Sequence, residues 1–63
     1  MRLTEFWRRM DEAFGPHAQY LAHDQVLAEL RGRTVVQALA EGEAAKDVWR
    51  AVCEAMELPV AKR

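Results

Sequence analysis

A chain of 63 residues is long enough for one domain and too short for two, so it can bury only a small core. With 51% hydrophobic residues it falls outside the disordered class, and its one cysteine excludes an internal disulfide. Nine Lys/Arg against ten Asp/Glu give a net charge of −1, which supplies no long-range attraction to a phosphate backbone.

The first predicted helix begins at Thr4, a good N-cap residue, and ends at Gly15-Pro16. Its apolar residues recur at helical spacing. They are Leu3, Phe6, Trp7, Met10 and Phe14.

The segment from His17 to Arg31 fits two interpretations. One is a single bent helix. The other, which we prefer, is two short helices that meet at His23-Asp24, with Asp24 capping the second helix at Gln25. In both cases Gly32 ends the segment. Its cleaner apolar set is Val26, Leu27 and Leu30.

The next segment carries the clearest local signal in the chain. Thr34 and Gln37 fit a capping box, in which each side chain accepts a hydrogen bond from the other residue's backbone amide. We predict a short helix over 35–41, ended by Gly42.

A regular apolar stripe predicts a longer helix over 44–56. It ends before Leu58-Pro59, because the residue preceding proline disfavours the helical region. We expect residues 60–63 to be a short frayed tail.

The predicted fold is therefore all-α: a compact bundle of three to four short helices, the last two in a helix-turn-helix-like arrangement. The expected organisation is a single domain over 1–58 and a C-terminal tail over 59–63. The predicted core is Phe6, Trp7, Met10, Phe14, Leu27, Leu30, Leu39, Val48, Trp49, Val52 and Met56.

A family resemblance extends over nearly the whole chain. The residues that carry it are Met1-Arg2-Leu3-Thr4-Glu5-Phe6-Trp7, Phe14-Gly15-Pro16, Asp24-Gln25-Val26-Leu27, Gly32-Arg33-Thr34-Val35, Ala38-Leu39, Gly42 and Val48-Trp49-Arg50-Ala51-Val52-Cys53. In these residues the chain resembles a family of short actinobacterial proteins known as domain of unknown function 3046. The resemblance implies no assigned activity. It implies a gene that lies near genes of DNA recombination and repair.

Ala38, Gly42 and Val48 also stand at the spacing of a DNA-binding helix-turn-helix, although any three-helix bundle can produce this spacing. The candidate nucleic-acid contacts are Arg33, Lys46 and Arg50. Acidic residues outnumber basic ones on the last helix, which argues against phosphate binding. Nucleic acid is therefore the less favoured partner.

Trp7 and Trp49 fall on apolar stripes, so we expect both in the core. Together the two stripes present more aromatic and Met surface than one small bundle can cover. An exposed remainder would form an interface with a protein partner or with a second copy of the chain. The candidate partner contacts are Trp7, Trp49 and Arg50.

Catalytic chemistry has no clear signal in this sequence. His17 and His23 fall on different helix faces, and Cys53 has neither a base nor a helix N-terminus beside it. We also expect the domain to be too small for a usual ligand pocket of ~300–1,000 Å³. We therefore predict no catalytic, cofactor or metal site and no small-molecule substrate.

The expected function is that of a non-catalytic protein-interaction module, and the alternative is a helix-turn-helix-like nucleic-acid accessory linked to recombination or repair. We expect a cytoplasmic protein with no membrane partner. A lone cysteine suits a reducing compartment, and the sequence has neither a signal-peptide run nor the ~20 apolar residues of a membrane span.

Overall fold

The computed structural model describes residues 1–63 and contains four α-helices. These are α1 (Leu3–Phe14), α2 (Ala18–Asp24), α3 (Val35–Ala40) and α4 (Ala45–Ala55). Three single 3₁₀ turns lie at Gly15–His17, Ala28–Leu30 and Val60–Lys62. The predicted all-α bundle is confirmed. None of its helices combines the length and the apolar character that crossing a membrane would require.

α1 begins earlier than predicted. Arg2, not Thr4, is the N-cap residue, and no side chain caps the helix. The Arg2 carbonyl accepts a hydrogen bond from the Phe6 amide at 3.0 Å, and a helix that started at Thr4 would lose this bond. The predicted end is confirmed, since Gly15 has a φ of 56° and donates its amide to the Asp11 carbonyl.

The segment after α1 is broken, as preferred, but the second part differs from the prediction. α2 ends at Asp24, and Gln25 is extended, so Asp24 does not cap a helix there. The reason is a short backbone pairing in which the Leu27 amide donates to the Arg33 carbonyl at 3.1 Å. This pairing holds the chain extended before Leu27. The same pairing leaves Val26 58% exposed. Val26 was predicted to belong to the apolar set of this segment.

The capping box at the start of α3 is confirmed. The Gln37 amide donates to Thr34 Oγ1 at 3.1 Å, and the Thr34 amide donates to Gln37 Oε1 at 3.3 Å. At the other end, Gly42 adopts a φ of 98°, and the Glu43 amide donates to the Ala38 carbonyl at 3.1 Å. This is the Schellman arrangement, and it turns the chain directly into α4.

α4 ends in the same arrangement, but the left-handed position is held by Glu57, with a φ of 52°. The Leu58 amide donates to the Cys53 carbonyl at 3.0 Å. Pro59 then leads into the last 3₁₀ turn. The Arg63 main-chain oxygen accepts hydrogen bonds from side chains of α1 and α4, so this exposed segment is tied to the bundle at its end rather than frayed.

The fourteen buried residues are all apolar. Seven predicted core residues are among them: Phe6, Met10, Leu27, Leu30, Val48, Trp49 and Val52. Four others are only partly buried: Trp7, Phe14, Leu39 and Met56. The buried residues absent from the predicted core are Ala18, Leu21, Ala22, Val35, Ala38, Ala51 and Cys53. Phe6 lies at the centre, with its ring edge-on to Trp7 at 5.2 Å and to Trp49 at 6.1 Å between centroids.

Candidate functional site

The three candidate partner contacts differ in exposure. Trp49 is only 4% exposed, so its ring lies in the core, as expected. Its indole N–H donates to the Arg63 main-chain oxygen at 3.1 Å. Trp7 is half-buried against the core. The Arg50 side chain is 66% exposed and lies 3.9 Å from Asp47. Of the three, Arg50 is therefore the most accessible to a partner.

Arg33, a candidate nucleic-acid contact, is engaged inside the protein. Its guanidinium donates to Glu41 at 2.8 Å and to Glu43 at 2.7 Å, and its Nε donates to the Leu30 carbonyl at 2.8 Å. The hydrogen bond to Glu43 has the largest effect on the pKa of Arg33, which it raises, and the bond to Glu41 raises it further. The same guanidinium lowers the pKa of Glu43. Because its charge is balanced by two carboxylates, Arg33 is not available to bind phosphate in this conformation.

A groove of about 410 Å³ lies over the exposed side of α4, and we call it the α4 groove. Its lining residues are Met1, Lys46, Trp49, Arg50, Cys53, Glu54 and Arg63. Helical spacing explains most of this set. Lys46 and Arg50 are four residues apart, as are Trp49 and Cys53, so each pair shares one side of α4. The result is a row of cations beside an apolar floor, of which Met1 is the exposed part, because Trp49 and Cys53 are buried.

The candidate residues from α4 are thus brought together, and two further lining residues were not predicted. Arg63 and Met1 reach the groove from the two ends of the chain. No local pattern links them to α4. Arg63 is held there because its main-chain oxygen also accepts a hydrogen bond from Arg9 at 2.7 Å. The site is therefore built from three segments.

A second groove of about 460 Å³ lies between α1 and the last turn, and we call it the α1 groove. Its lining residues are Arg8, Arg9, Glu12, Ala13, Ala61, Lys62 and Arg63. Both groove volumes lie within the usual range for ligand pockets, which corrects the expectation that the domain is too small. The α1 groove is lined almost wholly by charged and small residues, so it lacks the apolar walls of a typical small-molecule site.

Cys53 is buried beneath the α4 groove. Burial in apolar surroundings raises the pKa of its thiol, because it disfavours the charged thiolate. The thiol therefore contributes to the apolar floor and is a poor nucleophile. No three His, Cys, Asp or Glu side chains are grouped as metal ligands would be. His17 and His23 are exposed, and His23 Nδ1 lies 3.0 Å from the Gln19 carbonyl.

Comparison with known proteins identifies the family. The sequence model of the family described as Protein of unknown function (DUF3046) matches residues 1–61 of the chain. The chain belongs to this family, which confirms the resemblance seen in the sequence. No curated protein and no solved structure gives a significant match.

Proposed function

We propose that this member of the DUF3046 family is a non-catalytic protein-interaction module and that the α4 groove is the centre of its contact face. One observation carries the proposal: in the α4 groove Met1, which is 42% exposed, lies beside the cations Lys46 and Arg50. An apolar centre with a polar, partly solvated rim is the usual anatomy of a protein–protein interface, in which arginine is enriched.

The size of the molecule makes the contact face larger than the groove. A standard interface covers about 800 Å² of each partner, and the accessible surface of this chain is 4149 Å². A partner of ordinary size would therefore cover about a fifth of the surface. Such an area extends from the α4 groove across Arg63 and onto the last turn, which borders the groove.

The non-catalytic part of the proposal is supported by the state of the reactive groups. The Cys53 thiol, with its raised pKa, favours the protonated form. The charged groups that lie closest together, Arg33 with Glu41 and Glu43, are already hydrogen-bonded to one another. They connect turns of the fold and leave little capacity for proton transfer to a substrate.

Nucleic-acid binding, with a link to recombination or repair, is the second candidate function. It is favoured by the packing of α3 on α4, because Ala38 and Val48 are fully buried and Gly42 makes the turn. Lys46 and Arg50 then lie on the exposed side of α4. Against it, Arg33 is neutralised and Asp47 lies beside Arg50. We therefore place this candidate second.

The test is affinity capture from an extract of the native host with two charge-reversed variants. Arg50→Glu changes the α4 groove, and Arg31→Glu changes the net charge equally at an exposed arginine that makes no ion pair. We expect the parent and Arg31→Glu to retain the same partner and Arg50→Glu to lose it. Equal capture by all three proteins would contradict the proposal. Loss of capture after nuclease treatment would favour the nucleic-acid candidate.

A further inference from the structure

The charges of this chain are distributed unevenly over its surface. Six of its nine Lys/Arg line the two grooves: Arg8, Arg9, Lys46, Arg50, Lys62 and Arg63. Of its ten Asp/Glu, only Glu12 and Glu54 line them. A chain with a net charge of −1 therefore presents one basic face, and the rest of its surface carries an acidic excess.

The cations of the two grooves differ in how far their charge is compensated. Arg63 lines both grooves, so the two grooves adjoin at that residue. Within the α1 groove, Arg8 pairs with Glu12 at 2.9 Å and Arg9 pairs with Glu5 at 3.2 Å. Lys46 and Lys62 make no ion pair within the chain, so their charge is uncompensated.

We infer that the two grooves form one track and that its ligand is an acidic segment of a partner protein. This inference rests on the proposed function. Carboxylates of the segment contact Lys46, Arg50 and Lys62, and one apolar side chain packs against the exposed Met1 in the α4 groove. The molecule is 21 Å across its shorter axes. An extended segment of about six residues spans that distance, at about 3.3–3.6 Å for each residue.

A protein segment fits this face better than a nucleic acid does. Single-stranded nucleic acids bind largely by stacking bases on exposed aromatic rings, and Trp49 is only 4% exposed. Trp7 lines neither groove. Glu12 and Glu54 stand within the track and would repel a continuous row of phosphates. A peptide can place uncharged residues beside these two glutamates and carboxylates beside the cations.

The experiment measures peptide binding by fluorescence anisotropy at about 0.01 M salt, where the screening length is about 30 Å. The probe is a labelled six-residue peptide in which Glu and Asp alternate with Ser and Leu stands at one end, and its control has Gln and Asn in place of the acids. We expect the acidic peptide to bind at least about tenfold more tightly than the control. We expect Lys62→Glu with Arg50→Glu to remove about tenfold of its affinity. Arg31→Glu should stay within about twofold of the parent.

Three results would overturn the inference: equal binding of the two peptides, unchanged affinity of the double variant, or tighter binding of a single-stranded DNA hexamer. Circular dichroism of each variant is the control for correct folding. The inference and the proposed function can fail separately. If capture of a partner depends on Arg50 but the acidic peptide binds no better than its control, the inference is wrong and the proposed interaction module is still supported.

Discussion

The Arg33 guanidinium donates to the Glu43 carboxylate at 2.7 Å and so joins the start of α3 to the turn before α4. The same guanidinium donates to Glu41 at 2.8 Å, and its Nε donates to the Leu30 carbonyl at 2.8 Å. Only 18% of the Arg33 side chain is exposed. Arg33 thus connects two turns, the one at Ala28–Leu30 and the one between α3 and α4, which is a structural role.

This ion pair predicts a specific dependence of stability on pH. Because Arg33 lowers the pKa of Glu43 in the folded protein, the pair stabilises the fold above the unfolded glutamate value of about 4.3. That contribution is lost as the pH falls through the lowered folded pKa. We expect Glu43→Gln to unfold more easily than the parent near neutral pH and to lose less stability on acidification. The measurement is urea unfolding at a series of pH values from neutral into the acid range.

A matched control for that series is Glu29→Gln, since Glu29 is exposed and makes no ion pair. Its pH profile should follow the parent. Parallel profiles for Glu43→Gln and the parent would show that the contact between Arg33 and Glu43 is absent in solution.

The two threonines that were predicted as N-caps should respond differently to mutation. Thr34 accepts a hydrogen bond from the Gln37 amide at 3.1 Å, so Thr34→Ala should cost about 1 kcal/mol of the free energy of unfolding. Thr4 lies inside the first turn of α1 and caps nothing, so Thr4→Ala should change stability by less than about 0.5 kcal/mol. Thermal melts of the two variants measure the difference. Equal losses would place the start of α1 back at Thr4.

Burial of Trp49 predicts a large stability loss when the side chain is removed. Trp49→Ala should lower the free energy of unfolding by about 3–5 kcal/mol. At about 0.05–0.15 kcal/mol for each residue, this is most of the total stability of a domain of this size. Trp49→Phe retains much of the packing against Phe6 and loses the hydrogen bond to Arg63, so it should stay folded with a smaller loss. Urea unfolding followed by circular dichroism gives both values. A cooperative transition for Trp49→Ala close to that of the parent would show that the indole is not in the core.

Glu57 offers a stabilising substitution. It holds a φ of 52° at the end of α4, a conformation that glycine adopts without strain. Glu57→Gly should raise the free energy of unfolding by about 0.5–1 kcal/mol. This is the strain that glycine relieves, less the stability lost because glycine increases the entropy of the unfolded chain. Glu57→Ala keeps the strain and should give no gain. The prediction would be wrong if glycine and alanine gave equal stability.

The sequence was sufficient for features that depend on neighbouring residues. The capping box joins Thr34 to Gln37, the turn depends on Gly42, and the stripe of α4 repeats every three or four residues. Each of these is a local interaction, and the structure confirms each one. The burial of Leu21 was not predicted, because α2 has only seven residues and too few turns to distinguish its faces.

The site depended on contacts that no local pattern contains. Arg33 was a candidate nucleic-acid contact in the helix-turn-helix interpretation. The sequence did not show its carboxylate partners, which stand eight and ten residues away, beyond helical spacing. Arg63 was assigned to a frayed tail, yet it contacts Arg9 across 54 residues of sequence. Helical spacing could group Lys46, Trp49 and Arg50. It could not show that the last turn completes their groove.

The most direct test of the contact face uses the two indole N–H resonances in the proton–nitrogen NMR spectrum. Trp49 donates its N–H to Arg63, where the two grooves meet, whereas Trp7 lines neither groove. On titration with the acidic six-residue peptide, we predict that the Trp49 resonance shifts progressively and that the Trp7 resonance stays in place. A shift of Trp7 alone, or no shift of either resonance at saturating peptide, would contradict the assignment of this face.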